Sequence, residues 1–220
     1  MAGWGWDWWL NSDAGLAARI SIGLSIFLAL AAWDLARRGR AATRWREYLF
    51  LAAVVAAAMA YGAASDRIAS DISWEYFYYG KGLDQRLGPR VPPDAAALHR
   101  EACKIGLKAT WSAGLIVGVV LLVANNPGRG RPQLPYTQLL LLLPVVLLAT
   151  AVGAALGGWV GAHGWLAWTS RDLRMLARDD LFRPQRFMCV YGINLGSYAG
   201  GLLATAASVL WIIRRRRRGE

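Results

Sequence analysis

Both histidines and both cysteines of this chain, the side chains best suited to bind a transition metal, fall at one level of the predicted structure. His99 and Cys103 are one helical turn apart, His163 closes one apolar segment and Cys189 opens the next. Four such ligands can hold zinc or copper, and the two thiols can instead form a disulfide in an oxidising compartment. We favour a chance alignment, because H-x-x-x-C is the one close ligand pair in the sequence.

A second group of polar candidates accompanies the aromatic stretch "DISWEYFYYGKG" at residues 71–82. Aromatic rings concentrate at membrane interfaces, so we interpret the stretch as an interfacial belt. Its ring residues are Trp74, Phe77, Tyr78 and Tyr79. The belt leaves Glu75 unexplained, because a carboxylate among rings needs a polar partner. We predict that Glu75 contacts the helix face of residues 194–198, and we assign Asp66, Asp71 and Tyr76 to the same polar site.

That helix face belongs to the stretch "YGINLGSYAGG" near one end of the last apolar segment. Asn194 and Tyr198 share a face at i, i+4, and Ser197 lies beside them. Polar groups inside a membrane usually point inward and form hydrogen bonds between helices, which is our preferred interpretation. The alternative is a polar site that faces the outer loop.

Membrane-spanning helices must position these side chains. Of the 220 residues 56 % are apolar, and twelve are tryptophan, a composition that is not typical of a soluble domain. Five segments have the roughly 20 apolar residues needed to cross the hydrocarbon core. They are residues 16–36, 47–65, 105–124, 137–163 and 188–213. We predict one all-α membrane domain over residues 1–220, a bundle of about five transmembrane helices with an outer loop at 66–104.

Arginine density predicts the orientation of this bundle. "RRGRAATRWR" holds five arginines in ten residues and the chain ends in "RRRRRGE", so both should face the cytoplasm, with the N-terminus outside and the C-terminus inside. The first residues lack the basic start of a secretory signal, so segment one should remain as an anchor. We expect a multi-pass protein of a bacterial inner membrane.

The net charge of +11 has two explanations, membrane topology and nucleic-acid binding. We favour topology, because the arginines flank apolar spans and no nucleic-acid-binding motif accompanies them. The run from Arg214 to Arg218 is expected to bind anionic lipid as well.

Two stripes of small residues at a spacing of four predict how the last two helices pack. The stripes comprise Gly153, Gly157 and Gly161, and Gly192, Gly196 and Gly200. Small residues let helix backbones approach closely in lipid, so we expect these helices to pack face to face. One stripe can alternatively form a homodimer contact. Pro144 predicts a kink or break within the fourth segment.

Two blocks, "SDRIASDISWEYF" and "FMCVYGINLGSYAGGLLATAASVLWI", resemble those of an uncharacterised bacterial family of small multi-helix membrane proteins. The matching residues are Asp66, Ile72, Ser73, Glu75, Tyr76, Phe77, Ser197, Tyr198, Gly200 and Gly201. Ser65 and Asn194 stand where that family's pattern has histidine, and Trp74 replaces a proline. The resemblance implies a fold type and important positions, and it implies loss of any metal or proton role that those histidines carry.

Together these features predict an accessory, assembly or scaffold subunit of a larger membrane complex, with other membrane subunits and the lipid bilayer as partners. No short catalytic signature is present, so the chain is not expected to be an enzyme. The first alternative is a transporter or channel for a small solute, with an outer vestibule lined by Asp71, Glu75, Asn194 and Tyr198. The second alternative is a membrane-embedded metal or redox protein.

Overall fold

The computed structural model describes residues 12–126, 132–166 and 183–218, and these residues form helices and no strand. The α-helices are α1 (Asp13–Arg38), α2 (Trp45–Ile72), α3 (Asp84–Leu87), α4 (Ala95–Ala124), α5 (Tyr136–Leu140), α6 (Leu142–Ala162) and α7 (Pro184–Arg218). A 3₁₀ turn, Gly39–Ala41, follows α1, and a π-helical turn, Tyr76–Gly80, follows α2.

Five helical segments are long and apolar enough to cross a membrane. They are α1, α2, α4, α5 together with α6, and α7. The chain is therefore an all-α, multi-pass membrane protein, as the five apolar segments of the sequence predict.

The helices extend beyond the apolar segments from which they were predicted. α2 continues to Ile72 and α4 begins at Ala95, so the predicted loop 66–104 is reduced to residues 73–94. Asp94 begins α4 by accepting a hydrogen bond from the backbone N–H of Ala97 at 2.8 Å, as Asp does at helix N-caps. Hydropathy detects the part of a helix that meets lipid, whereas backbone hydrogen bonding continues past the hydrocarbon core.

A helix break lies close to Pro144, where the sequence predicts a kink or break. α5 ends at Leu140 and α6 begins at Leu142. Proline has no backbone N–H, so the carbonyl four residues earlier, that of Leu140, receives no helical hydrogen bond from it. The fourth span is consequently built from two helices.

α6 and α7 pack face to face along the two predicted glycine stripes. A Cβ atom added to Gly157 would overlap the carbonyl oxygen of Gly192, and one added to Gly153 would overlap that of Gly196. The reverse overlaps occur at Gly192 and Gly196, while Gly161 lies against Met188 and Gly200 against Ala149. Only residues without a side chain permit this backbone approach.

α2 and α4 form a second close pair, which the sequence analysis missed. Gly62 and Gly106 contact each other's backbone, and a Cβ at Gly114 would lie 2.7 Å from that of Ala58. Gly106, Thr110, Gly114 and Gly118 recur at a spacing of four, the signal that identified the other pair. Thr110 interrupts the glycines of this stripe, whereas the glycines of the two predicted stripes follow one another without a break.

Two buried clusters close the opposite ends of the bundle. One surrounds the π-helical turn and includes Phe77, Leu98 and Phe187. The other joins the first turns of α2 to the last turns of α4 and α7, and it contains Phe50, Leu121, Leu139 and Ile212. The α2/α4 and α6/α7 pairs are therefore joined mainly at their ends.

α1 is attached chiefly near its two ends. At its start Asp13 forms ion pairs with Lys104 at 3.2 Å and with Lys108 at 2.5 Å. At its other end the backbone N–H groups of Thr43 and Arg44 donate to Asp34 at 3.2 and 3.0 Å. Large apolar side chains between these ends are exposed, among them Ile22, Leu24, Ile26, Leu28 and Leu30.

Candidate functional site

The aromatic stretch is part of the protein core. Ser73 ends α2, the chain turns through Tyr76–Gly80, and the side chains of Tyr76, Phe77 and Tyr78 are buried. Their neighbours include Leu98 on α4 and Phe187 on α7. The interpretation as an interfacial belt is wrong for Phe77 and Tyr78. These rings pack the junction of three helices, a role that composition alone does not distinguish from an interfacial one.

Glu75 is buried inside this junction with only 1 % of its surface exposed. The Ser73 hydroxyl donates to its Oε2 at 2.9 Å and accepts from the Tyr76 backbone N–H at 3.2 Å. Its Oε1 is buried and has no hydrogen-bond partner among the described residues. Burying a carboxyl oxygen without a donor is costly, so the position of Glu75 in this junction is unfavourable unless other contacts offset that cost.

Glu75 does not form the predicted contact with the face of residues 194–198. Within the described ranges its hydrogen-bond partner is Ser73. The Asn194 amide donates to the carbonyl of Val190, one turn earlier, at 3.1 Å, and the Tyr198 side chain is 57 % exposed. The prediction failed because the π-helical turn directs Glu75 back towards the end of α2.

Tyr76 instead connects the two sequence blocks. Its ring meets that of Phe187 edge-on, with centroids 5.1 Å apart, and Lys81 Nζ lies 5.4 Å from its ring centroid. Burial raises the pKa of the Tyr76 hydroxyl, and the negative charge of Asp66 raises that pKa further. Tyr76 is thus held neutral where the end of α2 meets α7.

Asp66 and Asp71 have different surroundings although they share α2. Asp66 is buried on the face of α2 that also carries Gly62 and Ser70. Asp71 is exposed, forms an ion pair with Arg67 and contacts His99, whose Nε2 lies 2.7 Å from Oδ1. The predicted polar site is therefore divided between a buried side and a surface side.

The four predicted metal ligands are not gathered into one site. His99 is paired with Asp71. His163 Nδ1 lies 2.8 Å from the carbonyl oxygen of Trp159, and both cysteines are free thiols. Within residues 12–126, 132–166 and 183–218, no three His, Cys, Asp or Glu side chains are grouped to hold a metal ion.

At the arginine-rich end, side chains form hydrogen bonds to the backbone that the sequence analysis did not identify. Arg216 donates to the carbonyls of Ala124, Asn126 and Pro132 at 2.7, 2.5 and 2.9 Å. Asn125 exchanges two 2.9 Å hydrogen bonds with the backbone of Leu134. A guanidinium at a helix C-terminus satisfies carbonyls that lack helical donors. Within the predicted lipid-binding run, the guanidinium of Arg216 therefore bonds to the protein itself.

A cavity with a volume of about 670 Å³ lies between the α2/α4 and α6/α7 pairs. Its wall is almost entirely apolar, with Val54, Ala57, Val117 and Val146 among the lining residues. Tyr61 and Ser197 contribute hydroxyl groups, which lie 3.3 Å apart. Ser197 and Tyr198 are the predicted site residues that reach this cavity.

No protein-family model matches the chain, and comparison with curated proteins and with solved structures gives no significant match.

Proposed function

We propose that this chain is an accessory, assembly or scaffold subunit of a larger complex in a bacterial inner membrane. The observation that carries the proposal is α1, whose ends are tied by Asp13 and Asp34 while its middle is exposed. Another subunit's transmembrane helix can pack along the exposed face of that middle, while Phe27 of α1 stays stacked on Tyr48 of α2 with ring centroids 5.6 Å apart. The glycine-packed pairs α2/α4 and α6/α7 would supply the rigid support for such a helix.

The arrangement of polar groups supports a scaffold over a transporter of polar solutes. Asp34 accepts hydrogen bonds from the backbone before α2, so its carboxylate is committed to a structural role. Packed apolar clusters close both ends of the bundle. The large cavity between them is apolar, whereas a route for a polar solute requires polar groups along its length.

The contact between Tyr76 and Phe187 supports a common role for the two sequence blocks. Both blocks belong to the pattern that resembles the membrane-protein family, and the ring pair joins them. We propose that this junction fixes the angle between α2 and α7 and thereby positions the surface offered to partner subunits. In the same proposal the N-terminus lies outside and the arginine-rich ends lie in the cytoplasm.

Photo-crosslinking in the native membrane tests the scaffold proposal. A photoreactive amino acid replaces Leu28 on α1, which is 62 % exposed, or Leu203 on α7, which is 70 % exposed and serves as the matched control. We expect Leu28 to yield one discrete adduct with another subunit, and Leu203 to yield lipid adducts. The proposal is refuted if both positions give only lipid adducts and the mildly extracted protein migrates alone.

A further inference from the structure

The cavity between the helix pairs opens towards lipid rather than towards water. Ile116, Leu202 and Leu210 belong to its wall and are also largely exposed on the helix surfaces. The two packed clusters close it above and below. A molecule can therefore enter between the helix pairs from within the bilayer. The volume of about 670 Å³ falls in the usual range of ligand sites, about 300–1,000 Å³.

Hydrogen-bond donors remain available in this apolar wall. Three threonines of the wall donate to carbonyls of their own helices at 2.7 to 2.8 Å; they are Thr110, Thr150 and Thr205. The hydroxyls of Tyr61 and Ser197 share a single contact of 3.3 Å, in which either can donate. Two hydroxyl hydrogens and one such contact leave one hydrogen without an acceptor among the described residues, and the Tyr198 hydroxyl at the rim of the same wall is a further donor. A donor left unpaired in hydrocarbon is unfavourable.

The Tyr61 and Ser197 pair lies inside the hydrocarbon core. Tyr61 is four residues from the end of the predicted span 47–65 and Ser197 is nine residues from the start of the predicted span 188–213, or about 6 and 14 Å at the helical rise. The ester groups of phospholipids lie at the boundary of the hydrocarbon core, about 15 Å from its centre. A phospholipid in the bilayer does not place its carbonyls at this depth, so the acceptor must belong to a molecule that dissolves in the hydrocarbon.

We propose that the cavity binds an apolar, membrane-dissolved molecule with a carbonyl oxygen, the chemical class of a prenylated quinone. The carbonyl accepts the hydrogen bond from the Tyr61 and Ser197 pair, and the apolar body lies along Val54, Val117 and Val146. This binding site is independent of the proposed scaffold role, because it uses the space between the helix pairs and no part of α1.

A direct binding measurement tests the site. The full chain is placed in nanodiscs of a single phospholipid, a long-chain prenylated benzoquinone is titrated in, and adducts are counted by native mass spectrometry. We expect one quinone per chain. Tyr61→Phe removes the hydroxyl of Tyr61 and should weaken binding about fivefold, the usual effect of one hydrogen bond. Tyr48→Phe, on the same helix outside the cavity, should leave binding unchanged.

Two adjacent alanines provide a matched control for occupancy. Ala57 lines the cavity, whereas Ala56 is exposed and does not. Ala57→Leu fills the space and should weaken quinone binding at least tenfold, while Ala56→Leu should have no effect. Ala113→Leu, which fills the cavity from α4, replaces Ala57→Leu if that variant does not fold. Absence of a quinone adduct, equal binding by the cavity-filling variants, or phospholipid adducts alone would each overturn the proposal.

Discussion

Arg216 and Arg217 are neighbours in the arginine run, yet the structure predicts opposite consequences for their loss. Arg216 is only 7 % exposed and donates to the carbonyls of Ala124, Asn126 and Pro132. Arg217 is exposed. Replacing either with glutamine removes one positive charge from the same run, so the pair is matched in its effect on membrane topology.

The expected loss of stability follows from the three hydrogen bonds of Arg216. A hydrogen bond to a charged group contributes about 1.5–3 kcal/mol. Asn126 and Pro132 lie at the surface, so water can replace the guanidinium at their carbonyls. The remaining bond, to the half-buried Ala124, then gives a loss of about 2 kcal/mol for Arg216→Gln. Arg217→Gln should change the free energy of unfolding by less than about 0.5 kcal/mol.

Binding of anionic lipid should depend on Arg217 rather than on Arg216. An exposed basic residue near an anionic membrane surface contributes about 1 kcal/mol, so Arg217→Gln should weaken binding of anionic lipid about fivefold. Arg216→Gln should have little effect on it, because that guanidinium faces protein carbonyls. Unfolding by titration with sodium dodecyl sulfate measures the first quantity and lipid titration in nanodiscs measures the second. Equal changes for both variants in either assay would refute the assignment of Arg216 as a helix cap.

Two further predictions concern the glycine stripes and Tyr76. Gly157→Leu places a side chain against the Gly192 carbonyl, and overpacking of this kind costs about 1–3 kcal/mol or more, so we expect loss of folded, monodisperse protein. Gly23→Leu is the control and should fold normally, because a Cβ atom at Gly23 has nothing within 4 Å. Equal yields of the two variants would contradict the packing of α6 against α7. Because the pKa of Tyr76 is raised in the folded state, unfolding releases a proton above the ordinary tyrosine value of about 10, so stability should be unaffected below that pH and fall above it. Tyr76→Phe should reduce this alkaline loss in unfolding titrations, and an unchanged pH profile would show that Tyr76 ionises normally.

The sequence was sufficient to predict the helices, because whether a segment spans the membrane depends on the residues of that segment alone. A run of apolar residues such as 188–213 must cross the bilayer as a helix, since no other single-segment structure satisfies its backbone there. Asp94 and Pro144 mark a helix start and a helix break through their own backbone chemistry. The glycine stripes of α6 and α7 are also local, and the opposing overlaps at Gly157 and Gly192 agree with the predicted packing.

The site was predicted less well, because its contacts join residues distant in sequence. Glu75 and Tyr76 are adjacent, and nothing in the composition indicates that Glu75 turns back to Ser73 while Tyr76 reaches Phe187. The four predicted metal ligands shared a level along the membrane normal, but sequence does not indicate how far apart they lie around the bundle. Tryptophan favours membrane interfaces, so the sequence also predicts an outer anchor and contact surface formed by Trp4, Trp6, Trp8 and Trp9; these four residues lie outside the described residues.

The sequence by itself determined that this chain crosses a membrane, where its spans lie and which helix faces can approach closely. These properties depend on apolar length and on residue spacing along one helix. Only the tertiary structure decided that Arg216 caps α4, that the aromatic turn is buried, and that an apolar cavity with spare hydroxyl donors lies between the helix pairs. Each of these depends on the relative placement of separate helices, which no local pattern records.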